Sequence, residues 1–328
     1  MTTDTGAIDV HAHYLPPFYA DALREREMWM IGGLPVPEWT PELALAFMDA
    51  HGIAMQVLSI SDPGVEFVGA EAAPGLSRAC NDYAAALTAE HPQRFGALAV
   101  LPLADPAAAA SEAARALDEL ALDGVGILSS AGGVYPGDPA FEPLLEALDA
   151  RGAWVFVHPT IPEARPALAI PESVFEFPFD TTRAILSLIF NGVFERHPRI
   201  RWHFAHGGGT LPMLRLRVEG LGRAAREFGQ VLGLPGAASE LTDESVPRAL
   251  AASFYDTALV ADPTGLEAVR RLAAADRVLF GSDWPFAARL YEDTGTLQPA
   301  IEEVFGAEAP AVRRDTALAQ FGRVAARA

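Results

Sequence analysis

The sequence predicts a (β/α)8 barrel, and three observations point to it. Short apolar runs alternate with helical stretches along the whole chain, the signature of a parallel sheet. There are eight of each. Residues of metal-ligand or acid–base type stand where several apolar runs give way to loops: His11 and His13 in Ile8-Asp9-Val10-His11-Ala12-His13, His158 ending Trp154-Val155-Phe156-Val157-His158, His206 ending Trp202-His203-Phe204-Ala205-His206, and Asp283 in Leu279-Phe280-Gly281-Ser282-Asp283. Groups so far apart in sequence converge if parallel strands close into a barrel, because their C-terminal ends then share one face. An enzyme that depends on a metal is the reading this pattern favours.

Strands are predicted near 7–12, 54–60, 95–101, 124–128, 153–158, 200–205, 253–257 and 278–281. Helices are predicted at about 41–51, 74–91, 106–122, 140–151, 180–197, 210–229, 263–274 and 308–326. No composition break marks a second domain, so residues 1–328 read as one barrel. Pro41, Pro74, Pro106 and Pro263 fall in first helical turns, where a missing N–H costs nothing. His51, His91 and His197 fall at helix C-termini, where an imidazole meets the negative end of the helix dipole.

Several loops after strands exceed the usual length of about 2–6 residues. The first, from Tyr14 to about Thr40, carries Trp29 and Trp39; the fifth, from Pro159 to about Pro178, carries Phe175 and Phe177. Aromatic, proline-stiffened loops over a barrel mouth would wall an apolar pocket for a small flat molecule. Trp29, Trp39 and Phe175 are the candidate substrate-binding aromatics.

The net charge of −19 argues against nucleic acid and anionic lipid as partners. All 24 basic residues are arginine, which excludes Schiff-base lysine chemistry, a P-loop lysine and a carbamylated-lysine metal bridge. The single Cys80 forbids an internal disulfide, and the first strand begins too early for a signal peptide, so the cytoplasm is the expected compartment.

On a strand, residues i and i+2 face the same side, so His11 and His13 would point into the barrel together. Asp9 shares their parity one layer lower, either orienting a ligand histidine or standing as a hydrogen-bonded buried carboxylate. Three imidazoles and a carboxylate, from His11, His13, His158 and Asp283, suit one divalent ion: Zn²⁺ first, with Mn²⁺ accepted by the same ligands. His206 could be a further ligand, but it opens the His206-Gly207-Gly208-Gly209 turn, and an acid–base role beside the metal is favoured. His203, three residues earlier, is expected on the opposite side of its strand, packed against helices.

With these residues in hand, the chain resembles the amidohydrolase superfamily, in the branch that contains aminocarboxymuconate-semialdehyde decarboxylase and the salicylate-type decarboxylases. The resemblance rests on Ile8–His13, Phe156-Val157-His158-Pro159, Asn191-Gly192-Val193-Phe194-Glu195, Phe204–Gly209, Ser253-Phe254-Tyr255-Asp256-Thr257-Ala258 and Phe280–Phe286. The opening His11-Ala12-His13-Tyr14-Leu15-Pro16-Pro17 and the segment Glu176–Arg183 look most like 6-methylsalicylate decarboxylases. The resemblance implies a one-metal site with His11, His13, His158 and Asp283 as ligands and His206 as the catalytic histidine. It also implies an arginine eleven residues after that histidine that binds substrate carboxylate across a subunit boundary. Arg217 has that spacing, which makes a homodimer the expected assembly.

The substrate so implied is a small aromatic acid with a hydroxyl ortho to its carboxylate. Loss of CO₂ would follow protonation of the carboxylate-bearing carbon, by Asp283 in its protonated form or by a metal-bound water worked by His206. The same residues would also serve a metal-dependent hydrolase of a lactone, ester or amide.

Overall fold

A computed structural model describes residues 6–289 and 298–327. Eight parallel strands follow one another in chain order: β1 (Ala7–His13), β2 (Ile53–Ser59), β3 (Phe95–Val100), β4 (Gly124–Leu128), β5 (Trp154–His158), β6 (Arg201–Phe204), β7 (Phe254–Asp256) and β8 (Val278–Leu279). The ring comes round through the turn after β8. The Val10 N–H donates to the Phe280 carbonyl (3.0 Å), the Asp283 N–H to His11 (2.7 Å) and the His13 N–H to Trp284 (2.8 Å). Each strand is buried along nearly its whole length, which is why most of them read as short apolar runs, β1 being the one in which polar ligand residues alternate with apolar ones.

Helices connect the strands, and their starts follow the predicted chemistry. The Thr40 hydroxyl accepts from the Leu43 N–H at the head of helix Pro41–His51, and Gly52 ends that helix with φ 64°. Asp105 caps helix Pro106–Asp118, and Asp262 caps helix Pro263–Arg270. His51 is the last residue of its helix, while His91 and His197 are the C-caps of theirs. Trp154, Phe156, Leu98, Val57 and Phe254 form an apolar cluster with Phe321 and Val324 of the C-terminal segment. The Phe321 ring lies tilted against Trp154, the first residue of β5, with centroids 4.5 Å apart, so this segment plugs the end of the barrel away from the ligands.

The structure departs from the predicted elements in four places. The helix predicted at 180–197 is two, Glu176–Phe190 and Val193–Arg196, separated at Gly192 with φ 66°. The single helix predicted at 308–326 is a series of short turns, including a π-helical stretch Ala311–Asp315. Helix Ser245–Ala252 was not predicted; it packs Val246, Ala249 and Leu250 into the core. The first long loop is not bare, for it holds helix Pro17–Glu25 and a hairpin of Met30–Ile31 with Leu34–Pro35.

Candidate metal centre

The site is built where β1, β5 and the turn after β8 meet. His11, His13, His158 and Asp283 are all buried, and one ligand atom from each lies within 4.8 Å of the others. Period-2 alternation puts His11 and His13 on the same side of β1, with their Nε2 atoms 3.2 Å apart. Asp283 Oδ1 is 3.0 Å from His13 Nε2 and 3.4 Å from His11 Nε2. His158, the last residue of β5, completes the cluster, its ring edge-on to that of His13 at 4.9 Å.

Each imidazole is held by its other nitrogen. His11 Nδ1 lies 2.9 Å from Asp256 Oδ2, His13 Nδ1 lies 3.1 Å from the Ser59 hydroxyl, and His158 Nδ1 donates to the Pro159 carbonyl at 2.8 Å. Partners at Nδ1 leave Nε2 free to ligate, as metal-binding histidines require. Donors of one ion with bonds of about 2.0–2.2 Å stand at most about 4.4 Å apart, so a small closure of this cluster encloses a single divalent ion. Three imidazole nitrogens and one carboxylate oxygen, buried and converging, are a donor set that fits such an ion.

The electrostatics agree. Burial holds His13 and His158 below the ordinary imidazole value, so both stand neutral and ready to ligate. Burial also works against protonation of His11, but the carboxylates of Asp256 and Asp283 outweigh it and push that ring up to about 10. Asp283 is disfavoured by burial, yet the imidazoles of His11 and His13 bonded to it, with that of His206 close by, hold its carboxyl well below the usual range. The cluster keeps a carboxylate ionised in a place that repels one, and a cation is what such a place takes.

Asp256 is the residue that sequence reasoning left without a role. Its Oδ2 meets both His11 Nδ1 and His203 Nε2 at 2.9 Å, and its Oδ1 accepts from the His206 N–H at 3.0 Å. This corrects the placement of His203, which faces the barrel interior and lies against Phe156 at 4.6 Å. The parity argument failed because β6 ends at Phe204 and His206 adopts φ 54°, so strand alternation does not carry from one histidine to the other. Asp9 accepts from the Ser282 hydroxyl (2.6 Å), the Gln56 amide (3.0 Å) and the N–H groups of Ser282 and His11. It is therefore a hydrogen-bonded buried carboxylate that pins the turn bearing Asp283, and it bonds the His11 backbone rather than an imidazole. Burial pushes its carboxyl up to about 6.

His206 and Asp283 are both non-glycine residues at φ 54°, a cost of order 1–3 kcal/mol each that is met where function fixes the geometry. Neither ring nitrogen of His206 has a hydrogen-bond partner, and Nε2 lies 3.5 Å from Asp283 Oδ2. Beside these two residues opens a cavity of about 140 Å³. His158, His206 and Asp283 line one part of it, and Ile31, Leu34, Val174, Phe177, Val260 and Phe286 form apolar walls.

The structure does not bring the predicted aromatics into that cavity. Trp29 is 60% exposed, Trp39 packs against Tyr14 and Tyr83, and both border a separate groove on the first loop. Phe177, not Phe175, stands in the wall, edge-on to His158 at 5.8 Å. Aromatic content located the loops but not the direction of each ring. Arg217 is exposed on helix Leu211–Phe228 and does not line the cavity.

Comparison with known proteins agrees with this geometry. The amidohydrolase family matches residues 8–322. The decarboxylase yanB of Aspergillus niger is 32% identical, over 96% of this chain and 87% of its own. The 6-methylsalicylic acid decarboxylase of Penicillium expansum is 35% identical, over 85% of each chain. A crystal structure of 5-carboxyvanillate decarboxylase from Novosphingobium aromaticivorans, complexed with manganese and 4-hydroxy-3-methoxy-5-nitrobenzoic acid, superposes with a TM-score of 0.82 at 20% identity, over 96% of each chain. The chain belongs to the amidohydrolase family, in its branch of decarboxylases related to aminocarboxymuconate-semialdehyde decarboxylase.

Proposed function

We propose that this carboxy-lyase removes CO₂, without oxidation, from a small aromatic acid with a hydroxyl ortho to its carboxylate, of the 6-methylsalicylate kind. The observation that carries the reading is the cavity: about 140 Å³, mostly apolar, and opening directly onto the metal cluster. An apolar cavity of about 150 Å³ holds one benzene ring. One ring fits here, with its polar edge on His158, His206 and Asp283 and its face against Phe177 and Phe286.

His11, His13, His158 and Asp283 would hold one divalent ion. The donor set suits Zn²⁺ or Mn²⁺, and the manganese in the similar 5-carboxyvanillate decarboxylase supports testing manganese beside zinc. Bound there, such an ion would supply positive charge that offsets the negative charge of the substrate carboxylate and of the reacting ring. Within the chain, His206 Nε2 lies 3.5 Å from Asp283 Oδ2, so a closer approach of the two would open a path for a proton between them. Either could then protonate the carboxylate-bearing ring carbon. The C–C bond breaks, CO₂ departs, and the electron pair of that bond restores the aromatic ring. The net change is one proton gained and one CO₂ lost.

Two further parts of the reading concern the assembly and its setting. A homodimer would let Arg217 of one copy meet the substrate carboxylate of another. The buried, unpaired Cys80 suits a reducing cytoplasm. No helix among the described residues is long and apolar enough to cross a membrane.

The test is release of CO₂ from 6-methylsalicylate by metal-replete enzyme, run in D₂O so that one deuterium appears on the carbon that held the carboxylate. His206→Asn should retain metal and lose about 10²–10⁴-fold in kcat. If ortho-hydroxybenzoates survive while lactones or amides are cleaved, the hydrolase reading takes its place.

A further inference from the structure

Part of the cavity wall is not apolar, and the decarboxylation chemistry does not use it. Ser61, Asp62 and Ser173 line the same cavity as His206 and Asp283. Asp62 is only 7% exposed, and the Thr160 hydroxyl donates to its Oδ1. Burial pushes its carboxyl up to about 6, with hydrogen bonds from Thr160 and the Ile161 N–H opposing the rise. At neutral pH a largely ionised carboxylate therefore faces a cavity whose described lining contains no arginine. Ser173 Oγ, also in that lining, is buried without any hydrogen-bond partner. A polar atom left unpaired beside a ligand cavity is a place where a ligand's own polar group completes the bonding.

Resting on the aromatic-acid reading above, we propose that Asp62 sets the ring substitution of the substrate, its carboxylate accepting a hydrogen bond from a second ring hydroxyl, with Ser173 Oγ as the accompanying partner. The cavity admits one ring, so a substrate held at His158 and Asp283 must present another edge to this polar wall. A hydroxyl there donates to Asp62, whereas a methyl group leaves the carboxylate buried without it. Sites built around a buried polar group discriminate strongly against analogues that lack the matching group. A second carboxylate at that edge would meet like charge. The substrate class this selects is a monocarboxylic dihydroxybenzoate, with room for a small alkyl group against Ile31, Leu34 and Val174.

The experiment compares paired isosteres of 2-hydroxybenzoate that carry either a hydroxyl or a methyl at each of ring positions 3 to 6. Both kcat/KM and calorimetric binding are measured for the wild type, Asp62→Ala and Ser173→Ala. At one ring position the wild type should prefer hydroxyl over methyl by about 10–100-fold, the usual worth of a hydrogen bond to a charged group. Asp62→Ala should bring that ratio to unity or below, and Ser173→Ala should lower it less. The ratio separates recognition from damage, because a misfolded variant loses both members of a pair alike. A wild-type ratio near one at every position, or a ratio unmoved in Asp62→Ala, overturns the assignment of Asp62. Absence of CO₂ from every compound overturns the decarboxylase reading instead, and the binding ratio still decides the role of Asp62.

Discussion

The Asp256 carboxylate stands 2.9 Å from Nδ1 of His11, so the ring is anchored at one nitrogen while the other faces the remaining ligands. Asparagine at 256 would keep the shape but lose the charge, and its amide could force the proton onto the ligating nitrogen. Asp256→Asn should therefore weaken metal binding by about 10–100-fold, the usual effect of removing such a partner. Metal titration of the chelated protein checks this, and unchanged affinity would falsify the orienting role.

Without metal, the histidines predict how stability depends on pH. Burial holds His13, His158 and His203 below the ordinary value of 6.5. A group with a lowered folded pKa stabilises fully above its unfolded value and loses that contribution as pH falls. His11 is opposite in sign. Its folded value is raised to about 10, so its contribution is complete below 6.5 and disappears as pH rises through 10. Chelated enzyme should show maximal Tm near neutral pH, with His11→Gln losing the alkaline decline. A Tm that climbs steadily from pH 7 to 10 in the wild type would contradict the pairing of His11 with Asp256.

Gly281 packs its backbone directly against a ligand residue and that ligand's carboxylate partner. A Cβ there would sit 2.8 Å from the His11 Cβ and 3.1 Å from the Asp256 Cβ. Neither neighbour can swing aside, because both are Cβ atoms fixed on buried strands. Gly281→Ala should displace His11 and lose metal and activity together, while the far-UV circular dichroism stays that of the wild type. Full metal content in Gly281→Ala would show that the turn yields without disturbing the ligand.

How much of this was legible in the sequence depended on whether a local rule extended to the residue in question. Most strands were legible because buried parallel strands leave short apolar runs, and His11 and His13 because alternation holds within β1. His203 was misplaced by the same rule, applied across the end of β6 into a residue at positive φ. Asp256 stood in a quoted motif, but nothing local showed that it joins two histidines 245 and 53 residues away from it in the chain. The direction of Trp29, Trp39 and Phe177 depends on how the long loops fold back on the barrel, which composition does not encode. The break at Gly192 was visible as a glycine after asparagine, a common helix terminator, within a stretch whose apolar pattern ran on past it.

Arg217 gives the last prediction. Helix Leu211–Phe228 presents Met213, 82% exposed, and Leu216, 77% exposed, beside Arg217. Positions 213, 216 and 217 lie on one helical face, being three and four residues apart. Contiguous apolar patches are where partners dock, and an arginine beside Met213 and Leu216 would be carried to whatever docks there. If the partner is a second copy, His206→Ala and Arg217→Ala should each be inactive alone. Under subunit exchange, half of the dimers would be mixed, and each mixed dimer would hold one site with both residues intact. About a quarter of wild-type activity should then return, as expected for a twofold assembly. Light scattering on the wild type should report a dimer, and Met213→Glu should dissociate it with loss of activity at low protein concentration. A monomeric, fully active wild type, or no recovery on mixing, would leave Arg217 as an ordinary surface residue.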